Sequence, residues 1–363
     1  MTDLSTLSIL FIGDLNDYSK GYSRLCAAQD LGVRIEAMSS IPVQTGDTGY
    51  AEISNFFKLA WKLGFHLDTE KMNRRIVEKA AELEPDVIWI EKGNMIRPGT
   101  LRKLRSVCPN AQLVSYTDDD MFNSLNRTWA YRFGVKYYDT IFTTKSYNAN
   151  PDELPSFGAK RVVMVDKAYD PAHHMPVELT TEEHEWLDDD VGFIGSFELP
   201  RAEEMLYLAQ NGIRVHVWGN GWDSFDPKEP NLIIERRALV NTNNNPLYSK
   251  GICATKINLA FLRKANRDLQ TDRSIEIPAC GAFMMAEYSD EHAALFVEDK
   301  EAVYFRSREE LVEKIRYYLD HDEERRRIAA AGRQRCLEGD YSHQGRMEVM
   351  LSVLASSDRV SIV

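Results

Sequence analysis

Short apolar runs closed by glycine or aspartate, each followed by a stretch of helical length, recur along the whole of this chain. Residues 7–12 form such a run and end in Gly13 and Asp14. A helix-compatible segment then reaches Leu31, Gly32 breaks it, and residues 33–38 form the next run. The rhythm returns at 86–90, 112–116 and 140–144, with a helical stretch at 69–83 ahead of the first of these. Strands alternating with helices imply a parallel sheet with helices on its faces.

A fresh cycle begins after the acidic, turn-rich stretch 171–190, which is expected to link two domains. Residues 191–194 read as a strand, Gly195-Ser196 as a turn, 201–210 as a helix and 215–218 as a strand ending in Gly219-Asn220-Gly221. Later come a strand at 256–259, a helix around 274–279 and a buried strand at 282–286. Leu311, Ile315, Tyr318 and Leu319 mark one helix face, a basic helix spans 323–337, and a last helix runs over 344–354. At 363 residues the chain has the length of two domains. The expected division is 1–175 and 185–343, with the final helix, 344–363, crossing back to the first domain.

Open parallel sheets bind ligands at the carboxyl ends of their strands. Three loops of the second half fit that description: Gly195-Ser196, Gly219-Asn220-Gly221 and Thr271-Asp272-Arg273-Ser274. Glycines let backbone N–H groups approach an anion, and a helix amino terminus offers unpaired donors. Arg201 and Arg273 add positive charge nearby in the sequence.

The segment Arg273-Ser274-Ile275-Glu276-Ile277-Pro278-Ala279-Cys280-Gly281-Ala282-Phe283 resembles the signature of the GT-B glycosyltransferases related to the spore maturation protein CgeB. It also resembles the family-4 glycosyltransferase pattern in which Glu precedes an Ala-Cys-Gly turn. Phe193-Ile194-Gly195-Ser196 with Arg201, Val217-Trp218-Gly219 with Trp222, Lys256-Ile257-Asn258-Leu259 and the tail from Glu309 to Tyr341 extend the likeness over nearly all of the second half. In the first half it rests on Pro85-Asp86-Val87-Ile88 and Asp118-Asp119. The resemblance implies an α/β fold of GT-B type, two Rossmann-like domains facing across a cleft, and sugar transfer from a nucleoside diphosphate sugar to an acceptor hydroxyl. It implies no cofactor, no bound metal and retention of anomeric configuration.

By the same resemblance Glu276 takes the ribose hydroxyls of the donor. Gly195, Ser196, Arg201, Gly219, Asn220, Lys256, Asn258, Asp268, Arg273 and Ser274 complete the expected donor site. Asp118, Asp119, Arg273 and Glu276 form the expected catalytic set. Two positions depart from the family-4 pattern. The Glu that usually stands eight residues before the ribose-binding one is Asp268 here, and the Arg that often follows the first glycine of the second domain is Ser196. Phosphate charge is therefore left to Arg201, Lys256 or Arg273.

Asp118, Asp119 and Asp120 follow an expected strand, and three readings stay open: orienting an acceptor hydroxyl, binding a divalent metal, or forming a solvated turn or helix cap. His66, His173 and His174 lack a partner at ligand spacing and are expected as surface or core histidines. No G-x-S-x-G nucleophile motif occurs, and Gly13-Asp14 with Gly21 does not spell G-x-G-x-x-G. The first-strand loop is expected to line the acceptor side.

A formal net charge of −12 argues against general nucleic-acid binding. Cys26, Cys108, Cys253, Cys280 and Cys336 show no metal or C-x-x-C spacing, which fits a reducing compartment. With no membrane-spanning run and no signal-peptide pattern, the expectation is a cytoplasmic protein. Phe56, Phe57, Leu59, Trp61, Leu63 and Phe65, with Lys58 and Lys62 among them, suit either a helix packed on its own domain, the expected reading, or peripheral membrane contact. The acceptor is left open among sugars, lipids, proteins and small molecules. A nucleotide-sugar epimerase and a non-catalytic sugar-nucleotide binding protein remain as alternatives.

Overall fold

In the computed structural model, which describes residues 6–43, 54–242 and 245–356, the repeated apolar runs form two separate six-stranded parallel sheets. The chain divides into two units, Met1–Asp166 with His343–Val363, and Lys167–Ser342.

In the first unit the strands are β1 (Ser8–Gly13), β2 (Arg34–Ser39), β3 (Val87–Glu91), β4 (Gln112–Thr117), β5 (Thr140–Thr143) and β6 (Val162–Met164), ordered β2-β1-β3-β4-β5-β6. The helices are α1 (Lys20–Asp30), α2 (Asn55–Lys62), α3 (Met72–Leu83), α4 (Pro98–Val107), α5 (Trp129–Gly134) and, from the end of the chain, α13 (His343–Ala355). Val87, Ile88, Trp89 and Ile90 are all buried, as a central strand covered on both faces requires. Leu25 and Ala28 of α1 join Met347, Met350 and Leu351 of α13 on one face; Met72, Ile76, Leu101, Leu104 and Tyr131 cover the other. The Gln112 amide donates to the Leu354 carbonyl at 2.9 Å, which ties the end of α13 to the start of β4. The expected final helix thus packs in the first unit as far as it is described; residues 357–363 lie outside the described residues.

In the second unit β7 (Asp189–Ile194), β8 (Val215–Trp218), β9 (Leu232–Glu235), β12 (Thr255–Ala260), β13 (Met284–Glu287) and β14 (Val303–Phe305) are ordered β14-β13-β12-β7-β8-β9; β10 (Asn241–Thr242) and β11 (Asn245–Pro246) form a separate ribbon. Helices α6 (Thr181–Leu187), α7 (Leu199–Gln210), α8 (Leu247–Ala254), α9 (Arg273–Ala279), α10 (Asp290–Leu295), α11 (Arg308–Asp320) and α12 (Asp322–Glu338) complete it. Met205, Leu311 and Ile315 pack on one sheet face, and Ile252, Ile275, Ile277 and Cys336 on the other.

The chain passes between units at Asp166–Lys167, earlier than the expected link at 171–190, and that stretch belongs to the second unit. Its acidic residues have a local use. Thr180 and Glu183 form a reciprocal capping box at the start of α6, Glu182 and Glu183 sit in its first turn, and Asp189 and Asp190 open β7.

Helix α2 also departs from the expected packing. Phe56, Leu59, Leu63 and Phe65 are exposed, and only Ala60 and Trp61 of the apolar set are half-buried; the Phe57 side chain lies outside the described residues. No described helix is long and apolar enough to cross a membrane.

Each sheet reverses direction of growth once, between β1 and β3 and between β7 and β12. The crevices at the carboxyl ends of these strand pairs are where such sheets take ligands. In the second unit the rim is closed by backbone contact: a Cβ on Gly219 would stand 2.0 Å from the Gly195 carbonyl oxygen. Gly219→Ala is expected to cost about 3 kcal/mol, because backbone meets backbone and neither side can yield. An unchanged denaturant midpoint for the variant would contradict this packing.

Candidate active site

Strand β7 delivers Gly195-Ser196 and β8 delivers Gly219-Asn220-Gly221 to the same rim. The Gly195 N–H donates to Trp218 O at 2.8 Å, and the Phe197 N–H to Asn220 O at 2.9 Å. The Trp222 indole N–H caps the Gly195 carbonyl at 3.0 Å. Both predicted glycine loops are therefore brought together, and the first reason for their glycines is this close approach. Ser196 and Asn220 are exposed beside it.

Arg201, from the first turn of α7, and Arg273, the first residue of α9, converge on the end of β7. Arg201 Nη1 donates to Ser196 O at 3.1 Å, and Arg273 Nη1 to Ile194 O at 3.1 Å. Their guanidinium carbons lie 5.4 and 5.1 Å from the centroid of the Phe193 ring. Arg201 is buried, with Glu198 Oε2 at 3.7 Å from its Nη2. Burial, then repulsion from Arg273, lowers the Arg201 pKa to about 10. It stays charged at neutral pH. Arg201 Nε and Nη2 and Arg273 Nε have no hydrogen-bond partner among the described residues. Two adjacent cations, one of them buried, give this strand end an electrostatic environment suited to an anion. A cavity of about 140 Å³ beside Arg201 reaches the ends of β12 and β14.

One helical turn beyond Arg273, Glu276 is buried. Its Oε2 accepts the Tyr248 hydroxyl of α8 at 2.6 Å, and its Oε1 stands 3.8 Å from His174 Nε2. His174 Nδ1 accepts the Asp170 backbone N–H at 3.0 Å, which places the proton of a neutral ring on Nε2, toward Glu276. Burial, then the Glu276 carboxylate, raises the Tyr248 pKa well above its ordinary value, so Tyr248 acts as a hydrogen-bond donor. Neither Tyr248 nor His174 is among the residues expected here. His174 is half-buried, facing the carboxylate that the resemblance assigns to ribose.

Other expected donor residues go elsewhere. Asp268 is in the loop after β12, where it accepts from Asn266 Nδ2 at 2.8 Å and is close enough to Arg201 to favour its charge. Lys256 is at the amino-terminal end of β12, exposed and paired with Asp190 at 2.6 Å, at the opposite end of the sheet from the glycine loops. Asn258 is buried within β12, its amide donating to Ile252 O and Thr255 O at 3.1 Å each, so it caps α8. The Ser274 hydroxyl is buried and closes the turn ahead of α9 by donating to Thr271 O at 2.5 Å. Strand polarity and local capping, which a linear motif does not display, remove Lys256, Asn258 and Ser274 from the rim chemistry.

The first unit has its own cavity, about 460 Å³, at the ends of β1 and β3. Arg24 forms its floor, donating from Nε and Nη2 to Glu91 at 3.0 and 2.5 Å and approaching Asp118 at 3.7 Å. Burial opposes the Arg24 charge, but Glu91, Tyr116 and Asp118 outweigh it and raise its pKa. The aspartate run splits. Asp118 lines the cavity and accepts the Tyr116 hydroxyl at 2.8 Å; Asp119 pairs with Lys92 at 2.8 Å; Asp120 is buried, accepting from Phe122 N and Asn148 Nδ2. Among the described residues no cluster of three His, Cys, Asp or Glu side chains is placed to hold a metal. Asp14 and His66 line the cavity as well, and burial lowers the His66 pKa.

A family model described as glycosyl transferase-like matches residues 201–352, which takes in most of the second unit and α13. No curated protein matches the chain in sequence. Among solved structures, a sucrose-phosphate synthase from Thermosynechococcus elongatus superposes with a TM-score of 0.64 at 12% identity, covering 96% of this chain and 98% of that one. A glycosyltransferase from Rickettsia africae gives 0.62 at 11% identity, over 97% and 99% of the two chains. Anabaena HepE, solved in complex with UDP and glucose, gives 0.59 at 11%, over 96% and 100%. HepE has also been solved with UDP-glucose. The chain therefore has the GT-B fold, two parallel α/β units, and its second unit carries a glycosyl transferase-like sequence.

Proposed function

We propose that this protein transfers a sugar from a nucleoside diphosphate sugar to an acceptor hydroxyl, with retention of anomeric configuration and without a bound metal. The observation that carries the reading is the pair of incompletely partnered guanidiniums, Arg201 buried and Arg273 half-buried, at the switch point of the second sheet, one helical turn from Glu276. The glycosyl transferase-like sequence over 201–352 and the UDP and UDP-glucose complexes of HepE support it. Retention follows the family-4 likeness around Glu276.

As the bond between the anomeric carbon and the β-phosphate oxygen breaks, negative charge grows on the leaving diphosphate. Cations fixed in place before the reaction stabilise that charge without reorganisation. Arg201 and Arg273 meet this need with protein charge alone. Glu276, held by Tyr248, accepts the ribose hydroxyls. In the first unit, Asp118 at the cavity wall orients the acceptor hydroxyl and Asp119 acts through Lys92.

Incubation with UDP-glucose and other nucleotide sugars, following nucleotide release with and without acceptors, tests the reading; no release with any donor contradicts it. Turnover is expected to survive EDTA, and a magnesium-reversible loss would overturn the metal-free account. NMR of the product reads retention directly. Glu276→Gln is expected to weaken nucleoside diphosphate binding by on the order of 1.5 to 3 kcal/mol, since an amide accepts hydroxyl hydrogen bonds less well than a carboxylate. Calorimetry with a folded variant measures it. Arg201→Met has a two-sided signature: diphosphate affinity falls at least about tenfold, while the unliganded protein unfolds at the same temperature or higher, because a buried charge facing another cation is removed. A large loss of unliganded stability would make Arg201 a structural residue.

A further inference from the structure

The outward face of α2 has no use in the donor or acceptor chemistry, and its composition is specific. Phe56, Leu59 and Leu63 recur at i, i+3 and i+7, which is one helix face, with Ala60 at its border and the half-buried Trp61 on the opposite side. Lys58 and Lys62, four residues apart, run exposed along one flank of the stripe. The apolar surface continues past the helix. Gly64, at φ +80°, lets Trp129 come so close that a Cβ would stand 2.8 Å from its indole, and Gly64 O accepts the Trp129 N–H at 2.9 Å. Trp129 stacks on Phe133 at 6.0 Å. Phe56, Leu59, Leu63, Phe65, Leu125, Trp129 and Phe133 are each 55% to 70% exposed.

Charge selects the partner. Residues 54–67 and 121–138, which carry this surface, contain five Lys and Arg and no Asp or Glu. The two segments themselves carry only positive charge, and the nearest carboxylates, Asp68, Asp120 and Asp139, stand just beyond their ends. Arg127 and Arg132 both lie over the Phe157 ring, at 4.9 and 3.5 Å, within the second of these segments.

We propose that the first unit docks on an anionic bilayer surface through α2, Trp129 and Phe133. Exposed aromatic and aliphatic side chains enter the headgroup boundary, and Lys58 and Lys62 meet the lipid phosphates, as in-plane amphipathic helices do. A second copy of the chain fits less well. A two-fold contact would set this face, which carries Lys58 and Lys62 and no carboxylate, against its own copy. Seven apolar side chains on two short segments also fall well below the 20 to 30 residues a side of a stable interface.

Co-sedimentation with vesicles tests this on the full chain and reads lipid binding alone, so it stands or falls separately from sugar transfer. At about 100 mM salt the protein is expected to pellet with phosphatidylcholine vesicles containing one-third phosphatidylglycerol and to stay in solution with phosphatidylcholine alone. Binding should weaken at least tenfold in K58E/K62E, where charge near an anionic surface is reversed twice. F56S/L59S should abolish it. Both pairs are on the surface, so unfolding temperatures should match wild type. Wild type remaining in solution with both vesicle types, or variants pelleting as well as wild type, overturns the proposal. So does a lipid-free dimer, seen by sedimentation equilibrium, that F56S/L59S dissolves.

Discussion

Two guanidiniums side by side, one buried and one half-buried and neither fully matched by a carboxylate, set the terms for the second unit. Burial and repulsion from Arg273 act against the Arg201 charge, while Ser196 O accepts from Arg201, Ile194 O accepts from Arg273, and both guanidiniums lie near the ring of Phe193. Interior packing of β7 supplies the ring, the turn after β7 supplies a carbonyl, and α7 and α9 supply the cations. In the proposed function a bound diphosphate would offset that repulsion.

The same constraint explains the glycines. With Gly219 pressed on the Gly195 carbonyl and Trp222 donating to it, the loops after β7 and β8 form one rigid rim. A side chain at Gly195 would meet the Phe193 ring at 2.7 Å and Arg273 Nη1 at 3.0 Å, so the residue that brings Arg273 to the backbone also needs a hydrogen at this position. Glu276 is positioned by a different route, from α8 through Tyr248 and from the entry segment through His174. The site is thus assembled from five stretches of chain around one strand end.

Much of this was legible in sequence because central parallel strands are apolar on both faces, and runs such as 86–90 and 191–194 show it plainly. The edge strands β6, β9 and β14 were not read: they have three or four residues, and β6 and β9 are only half-buried, so they lack that signature. The acidic stretch before β7 looked like a linker because capping residues and linker residues share a composition. Lys256 and Asn258 followed a motif whose order in sequence carries no strand direction or capping. Tyr248 lies 28 residues from Glu276 and His174 lies 102 away, and no spacing rule connects them; only folding does. For α2, periodicity gave an apolar helix but could not say which face met the domain.

A crystal structure of the protein with a nucleoside diphosphate tests the central claim most directly. The account predicts the two phosphates between the guanidiniums of Arg201 and Arg273, with the ribose hydroxyls on the Glu276 carboxylate and Tyr248 still donating to it. A nucleotide bound in the cavity of the first unit, or phosphates that leave both guanidiniums without contact, would contradict it.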